Sequence, residues 1–463
     1  MIENIEKLFI KTFNVQPLDI KKISADGSNR QYYRIFSVKT NVIGVYNEDT
    51  KENIAFIDYA RQLRRAGINV PQIYAEDIEN NVYLQQDLGD TTLFSCLQSG
   101  DKNIDKWYEI VVKELPKIQL VNNFDYKNAY PRDAFDKQSI QWDLNYFKYY
   151  FLKLAGVVFN EEDLENDFAR LTEYLLSCPT SYFLYRDFQS RNIMLYDDKV
   201  WFIDFQGGRK GSLQYDIASL LYDAKANIKP QRRKELLNLY LERLKQLINI
   251  DEEDFLNHYY AYVYIRIMQA MGSYGYRGYF EKKVSFLKSI PFALNNLKYL
   301  EDNIHLEVEL PTLHKIFQRM LVSSKLQNLN ENSNKLTITI KSFSYKKGFP
   351  QDISGNGGGF IFDCRALPNP GREERFKRMN GTDEAVRKYL ESFPEVNYFL
   401  TNAMNLVNQS IENYLKRGFS NLSVYFGCTG GQHRSVYCAQ KCAEILRQHP
   451  DLSIIINHIE QNI

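Results

Sequence analysis

The stretch YFLYRDFQSRNIMLYDDKVWFIDFQGG, Tyr182 to Gly208, carries Asp187, Asn192 and Asp204 in the order D-x4-N-x11-D. Each acid or amide falls after or between short apolar pieces, FLYRDF and VWFIDF, that read as strands. Phosphoryl transfer needs a carboxylate near the attacking hydroxyl, plus oxygen ligands for the Mg2+ that bridges the nucleotide phosphates. Asp187 is of the right type for the first task, and Asn192 and Asp204 for the second. Asp216, in QYDIASLL, reads as a brace for this loop from a helix start. Arg191, inside the loop, reads equally as a contact to substrate or phosphate and as a structural salt bridge.

Upstream of this stretch, strand-like runs dominate: YYRIFSV, NVIGVYN and NVYLQQDL. Between them FIDYARQLRRAGINVP predicts a helix closed by Gly67 and followed by Pro71. The turn Asp26, Gly27, Ser28 and Asn29 could cover nucleotide phosphates with its amides, although most such tetrads are plain hairpin turns. From Lys102 onward the pattern is mainly helical and aromatic, which gives the layout of a two-lobed kinase. A polar, Asn-rich piece, QNLNENSNK, then reads as a linker before a strand-like LTITIKSFSY. The expected domains are a kinase-like unit at 1–326 (small lobe to about 95), a linker at 327–335 and a second domain at 336–463.

Composition sets outer limits. The chain has 463 residues, is 44% hydrophobic and 25% charged, and carries a formal net charge of +1, so nothing pulls it generally towards nucleic acid or membrane. MIENIEKLFIKTFN has acids and no apolar core of a signal peptide, and no run is long enough to span a bilayer. Six scattered cysteines without a CxxC pair point to reduced thiols in a cytoplasm, and no His/Cys set has zinc spacing.

The motif around Asp187 resembles the H-x-D-x4-N loop and following metal-binding Asp of aminoglycoside phosphotransferase-like kinases. Two departures stand out: Tyr185 replaces the usual His, and the strand NVIGVYN has no lysine. SADGSNRQYYR, RDFQSRN and IDFQ narrow the resemblance to the N-acetylmuramate/N-acetylglucosamine 1-kinase branch, over about residues 1–320. That resemblance implies an α+β two-lobed protein-kinase-like fold using ATP and Mg2+, with an N-acetylated amino sugar phosphorylated at its anomeric hydroxyl for cell-wall sugar recycling. The alternative reading is an inert kinase fold, because of the Tyr185 loop and the absent lysine.

Near the other end, NLSVYFGCTGGQHRSVYCAQKCAEILRQ reads as strand, glycine loop and helix, which together make an anion site. Cys428 and Arg434 also have the C-x5-R spacing of cysteine phosphatases, so the loop could hold a phosphate, attack one, or merely turn the chain. SFSYKKGFP, FIFDCRALPNP and GCTGGQHRSVY together resemble the α/β C-terminal domain of the RNase adapter protein RapZ, from about Leu336 to the end. This resemblance favours holding: a phosphorylated amino sugar would sit on Cys428, Thr429, Gly430, Gly431, His433 and Arg434, with Asp363 and Arg365 as neighbours. Family members that bind RNA carry a basic tail, whereas this chain reads INHIEQNI there, so an RNA partner is weakly supported. No membrane partner is expected. A regulatory adapter with an inert kinase lobe is the competing function.

Overall fold

Short β-branched and aromatic runs build the first sheet of the computed structural model, which describes residues 1–23, 30–327, 329, 336–350, 359–417, 419 and 421–461. The strands are β1 (Asp19–Ile23), β2 (Gln31–Phe36), β3 (Val42–Tyr46), β4 (Ile73–Asp77) and β5 (Val82–Gln86). They form one antiparallel sheet in the order β1-β2-β3-β5-β4. Helix α1 (Ile2–Phe13) lays Ile5, Leu8 and Phe9 on Ile35, Val42 and Leu84 of this sheet. It comes so close at β3 that a Cβ on Gly44 would run into Ile5. The expected phosphate-covering turn, Asp26 to Asn29, and most of the expected linker lie outside the described residues.

Helix α2 (Thr50–Arg65) starts earlier than its apolar period implies, because Asp49 caps it by accepting the Glu52 amide at 3.1 Å. The chain leaves α2 at Gly67, whose φ of 80° suits glycine. The second lobe is helical, with Ile104–Gln119, Lys137–Tyr146, Glu161–Leu176, Leu213–Leu221, Pro230–Lys245 and Glu252–Gly275 as its longer helices. Two small antiparallel pairs carry the Asp187–Asp204 segment: β6 (Tyr182–Leu184) with β9 (Arg209–Gly211), and β7 (Ile193–Tyr196) with β8 (Lys199–Phe202). This is the two-lobed α+β kinase-like arrangement that the sequence predicts.

The last part of the chain is a separate α/β layer. Its strands β10 (Leu336–Ser344), β11 (Gly359–Asp363), β12 (Asn421–Cys428) and β13 (Leu452–His458) are all parallel, in the order β11-β12-β10-β13. β10 and β12 are buried almost throughout, as central parallel strands must be. Helices Pro394–Lys416 and Arg434–Leu446 pack on this sheet around Ile338, Ile340, Val424, Val407 and Cys442. β12 hands the chain directly to the glycine loop at the carboxyl edge, where β10 has neighbours on both sides. Ligands of open α/β sheets bind at such an edge.

By its contacts the chain forms two units: Met1–Ser273 with Phe292–Val322, and Tyr274–Pro291 with Ser323–Ile463. Among the described residues no helix is long and apolar enough to cross a membrane.

Candidate active site

Asp187, Asn192 and Asp204 converge on one spot. The Asn192 amide Nδ2 donates to the Asp187 carbonyl at 2.9 Å and to Asp204 Oδ2 at 3.2 Å. Those bonds commit the nitrogen and leave Oδ1 of Asn192 as the atom suited to a cation. The Asp187 carboxylate accepts no hydrogen bond from the described residues, and a Cβ added at Gly207 would lie 4.0 Å from its Oδ2. Burial first, and then the charge of Asp187, push the Asp204 carboxyl above its ordinary range. A hard cation held by Asn192 Oδ1 and the Asp204 carboxylate would relieve that repulsion. Mg2+ typically takes one or two such protein oxygens and completes its shell with phosphates and water, so these residues fit it.

Two residues beside the chemistry adopt left-handed backbone, Arg186 with φ 82° and Asp204 with φ 70°. Such a backbone costs on the order of 1–3 kcal/mol per residue and persists only where its surroundings enforce it. Around Arg186 the enforcement is visible. Asp216 accepts the Tyr185 amide at 2.8 Å and the Arg186 amide at 3.0 Å, fixing the turn. The Arg186 guanidinium forks onto both oxygens of Asp143, at 2.8 and 2.6 Å, and also meets the Tyr215 hydroxyl. Asp216 is fully buried, and burial pushes its carboxyl up to about 7 against the pull of those amides.

Tyr185, the residue that departs from the usual His, is buried, and its hydroxyl donates to the Ile203 carbonyl at 2.6 Å. That bond ties the Asp187 loop to the residue before Asp204. Arg191 is exposed and lays its guanidinium 4.5 Å from the centre of the Phe94 ring.

A second polar chain leads out of Asp204. Gln206 Nε2 donates to Asp204 Oδ1 at 2.8 Å and reaches Glu52 Oε1 of α2 at 3.5 Å. Glu52 also accepts from Asn47 Nδ2 at 2.7 Å and pairs with Arg30 Nε at 3.5 Å. Beside this chain lies a cleft of about 170 Å3 lined by Ile43, Gln85, Leu88, Met194 and Ile203 among others. Apolar walls from both lobes suit a flat ring system.

In the C-terminal unit the loop after β12 is tightly tied. Ser344 Oγ donates to the Thr429 carbonyl at 2.8 Å, and Gln432 Nε2 donates to the carbonyls of Lys377 and Met379. His433 Nε2 lies 2.9 Å from the Phe376 carbonyl. Arg434 donates through one nitrogen to the carbonyls of Arg365 and Leu367, at 2.7 and 3.1 Å. Asp363 and Arg365 are paired with each other on the rim, and Arg365 stacks 4.0 Å from the centre of the Tyr345 ring. Thr429 and Gly430 are exposed, whereas Gly431 is buried. The Cys428 thiol is 3.1 Å from Ser435 Oγ. Burial pushes that thiol up, but the Ser435 hydroxyl and amide, the Gly431 amide and the Arg434 charge outweigh it, so the net shift is downward.

The model of the phosphotransferase enzyme family matches residues 19–253, just over half of the chain. The chain belongs to that family. A model of the RapZ C-terminal domain matches residues 336–462. Among curated relatives, a nucleotide-binding protein of Dinoroseobacter shibae is 42% identical over 117 residues, 25% of this chain and 37% of that protein. One from Alteromonas mediterranea is 34% identical over 161 residues, 35% of this chain and 53% of that protein. The chain thus spans about half or less of the length of these relatives. Among solved structures, an ethanolamine kinase of Plasmodium vivax has a TM-score of 0.47 at 13% identity, covering 63% of this chain and 84% of that one. A choline/ethanolamine kinase family protein of Mesorhizobium loti has 0.47 at 11%, covering 70% and 99%.

Within the phosphotransferase domain, sequence reasoning names the three polar residues at the centre but not their supports: Asp143, Arg186, Tyr215, Gln206, Glu52 and Arg30. Arg30 and Gln206 do lie inside quoted motifs, SNR and IDFQ, so their signal was available. Nothing local marks Asp143 or Glu52.

Proposed function

We propose that this phosphotransferase uses MgATP to phosphorylate an N-acetylated amino sugar at its anomeric hydroxyl, in recycling of cell-wall sugars. The RapZ C-terminal domain would bind a phosphorylated amino sugar and regulate the pathway. The convergence of Asp187, Asn192 and Asp204 on a braced loop carries the catalytic part of this reading. Asp187 would orient the sugar hydroxyl and take its proton, since its carboxylate is not occupied by the described residues. Asn192 Oδ1 and Asp204 would hold Mg2+, which when bound draws charge from the transferring phosphate. Asp216 and Tyr185 would keep the two halves of the site in register.

For the second domain, the glycine loop offers amides and the start of helix Arg434–Leu446 at the carboxyl edge of a parallel sheet. Arg434 is tied to main-chain carbonyls, which favours a holding loop over an attacking one. The test is ATP-dependent phosphorylation of N-acetylglucosamine, N-acetylmuramate, glucosamine, choline and kanamycin, with the phosphate position read by NMR. A 1-phosphate on an N-acetyl sugar is the expected outcome. ATP binding without transfer to any acceptor would overturn this reading in favour of an inert adapter, for which RNA binding across a salt series is the next measurement.

A further inference from the structure

A kinase of two lobes grips the nucleotide phosphates with a lysine of the third strand, held by a glutamate of the following helix. Here β3 reads VIGVY, and its centre is Gly44, which α1 covers. Several other small-lobe cations among the described residues are committed elsewhere. Arg34 is tied to Asp87 and Asp90, Arg61 to Glu76, Lys22 to Gln31, and Lys39 to the Phe13 carbonyl. The glutamate half of the pair is nevertheless present: Glu52, in the first turn of α2, is held by Asn47 and faces Asp204 through Gln206.

Arg30 stands where the missing cation is needed. It follows the expected phosphate-covering turn directly and precedes β2. Its side chain is only 2% exposed, its Nε is 3.5 Å from Glu52 Oε2, and its guanidinium lies over Phe56 of α2, 5.2 Å from the ring centre. A guanidinium buried in this way is held by the residues around it, not by water. Burial works against its charge, but Tyr83, Tyr32, Glu52 and Asp204 favour it, so the group stays protonated. Because a guanidinium offers donors on more than one edge, it can face a carboxylate along one and a phosphate along another, which an ammonium does only as a point charge.

We propose that Arg30, paired with Glu52, is the cation that grips the nucleotide phosphates in place of the absent strand lysine. This rests on the nucleotide-binding part of the proposed function and adds the residue that performs the grip. It reassigns phosphate recognition from a strand centre to the start of β2, and it makes the Arg30–Glu52–Gln206–Asp204 chain the link between the helix of one lobe and the metal side of the other.

The test compares binding of MgATP and of adenosine by calorimetry to the full chain and to Arg30→Met, Arg30→Lys and Glu52→Gln. Adenosine occupies a base site but carries no phosphate, so it reports whether the cleft survives. Arg30→Met should weaken MgATP about tenfold or more while leaving adenosine within about twofold. Arg30→Lys should recover part of that loss, and Glu52→Gln should cost less than Arg30→Met. Unchanged MgATP affinity in Arg30→Met would overturn the proposal, as would an equal loss of adenosine, which marks a structural role only. A wild-type chain that binds neither compound overturns the nucleotide reading and this inference together. Sugar phosphorylation with unchanged MgATP affinity in Arg30→Met sinks this inference alone.

Discussion

The Tyr185 hydroxyl donates to the Ile203 carbonyl at 2.6 Å, joining the loop that carries Asp187 to the strand end that carries Asp204. The phenol at this position is long enough to supply a cross-loop bond to the main chain. Burial, with the charges of Asp204, Asp216 and Asp187, keeps this phenol protonated and therefore a donor. Tyr185→Phe removes the donor and leaves a partly buried carbonyl without this partner, at about 1–3 kcal/mol. The expected result is a lowered melting temperature and kcat reduced roughly tenfold or more, with KM for the sugar little changed. A variant as active as wild type would show that the bond does not hold the site in register.

Asp187→Asn should abolish transfer while MgATP still binds, because the carboxylate accepts no hydrogen bond from the described residues. Asp204→Asn should instead weaken the response to added Mg2+, since the charged member of the expected donor pair becomes a neutral amide. Binding titrations with and without the metal separate the two. An Asp187→Asn chain with undiminished turnover would remove it from the chemistry.

How much of this was readable beforehand depends on sequence separation. Asp187, Asn192 and Asp204 lie within one hairpin-rich stretch, so spacing alone groups them. Asp143 reaches Arg186 from helix Lys137–Tyr146 by packing within the second lobe, and Glu52 reaches Gln206 from α2 across the lobes; no local pattern encodes either contact. The central strands β2, β3, β10 and β12 are apolar enough to be evident. β1, DIKKI, is an edge strand with one wet face, so its lysines hide it. β13 is likewise at an edge and follows a charged turn. Helix α1 shows its buried stripe only at Ile5, Leu8 and Phe9, too short a signal to stand out.

Asp216 gives a pH signature. Its carboxyl is raised by burial to about 7 from 3.8, so the folded chain binds this proton more tightly than the unfolded one. The group's contribution is therefore greatest below the unfolded value and is lost as pH rises towards about 7. Melting temperatures of wild type and Asp216→Asn between pH 4.5 and 8 should show wild type losing stability relative to the variant as pH rises to about 7, then levelling. A gap independent of pH would mean that the two main-chain amides of Tyr185 and Arg186 keep Asp216 ionised throughout.

The C-terminal loop separates holding from attack. Gly431 has φ 66°, and a Cβ there would meet the Glu460 side chain and lie 3.0 Å from the Ser344 amide nitrogen. Gly431→Ala should therefore destabilise the loop by about 1–3 kcal/mol and weaken binding of a phosphorylated amino sugar severalfold or more. Cys428→Ser is a milder change, because a hydroxyl can take the place of the thiol beside Ser435 Oγ. A loop that holds its ligand keeps its affinity within about threefold in Cys428→Ser, and wild type leaves p-nitrophenyl phosphate intact. A loop that attacks would hydrolyse that ester in the wild type and lose the activity in Cys428→Ser. With the Arg434 guanidinium drawn onto the carbonyls of Arg365 and Leu367, the holding outcome is the one expected.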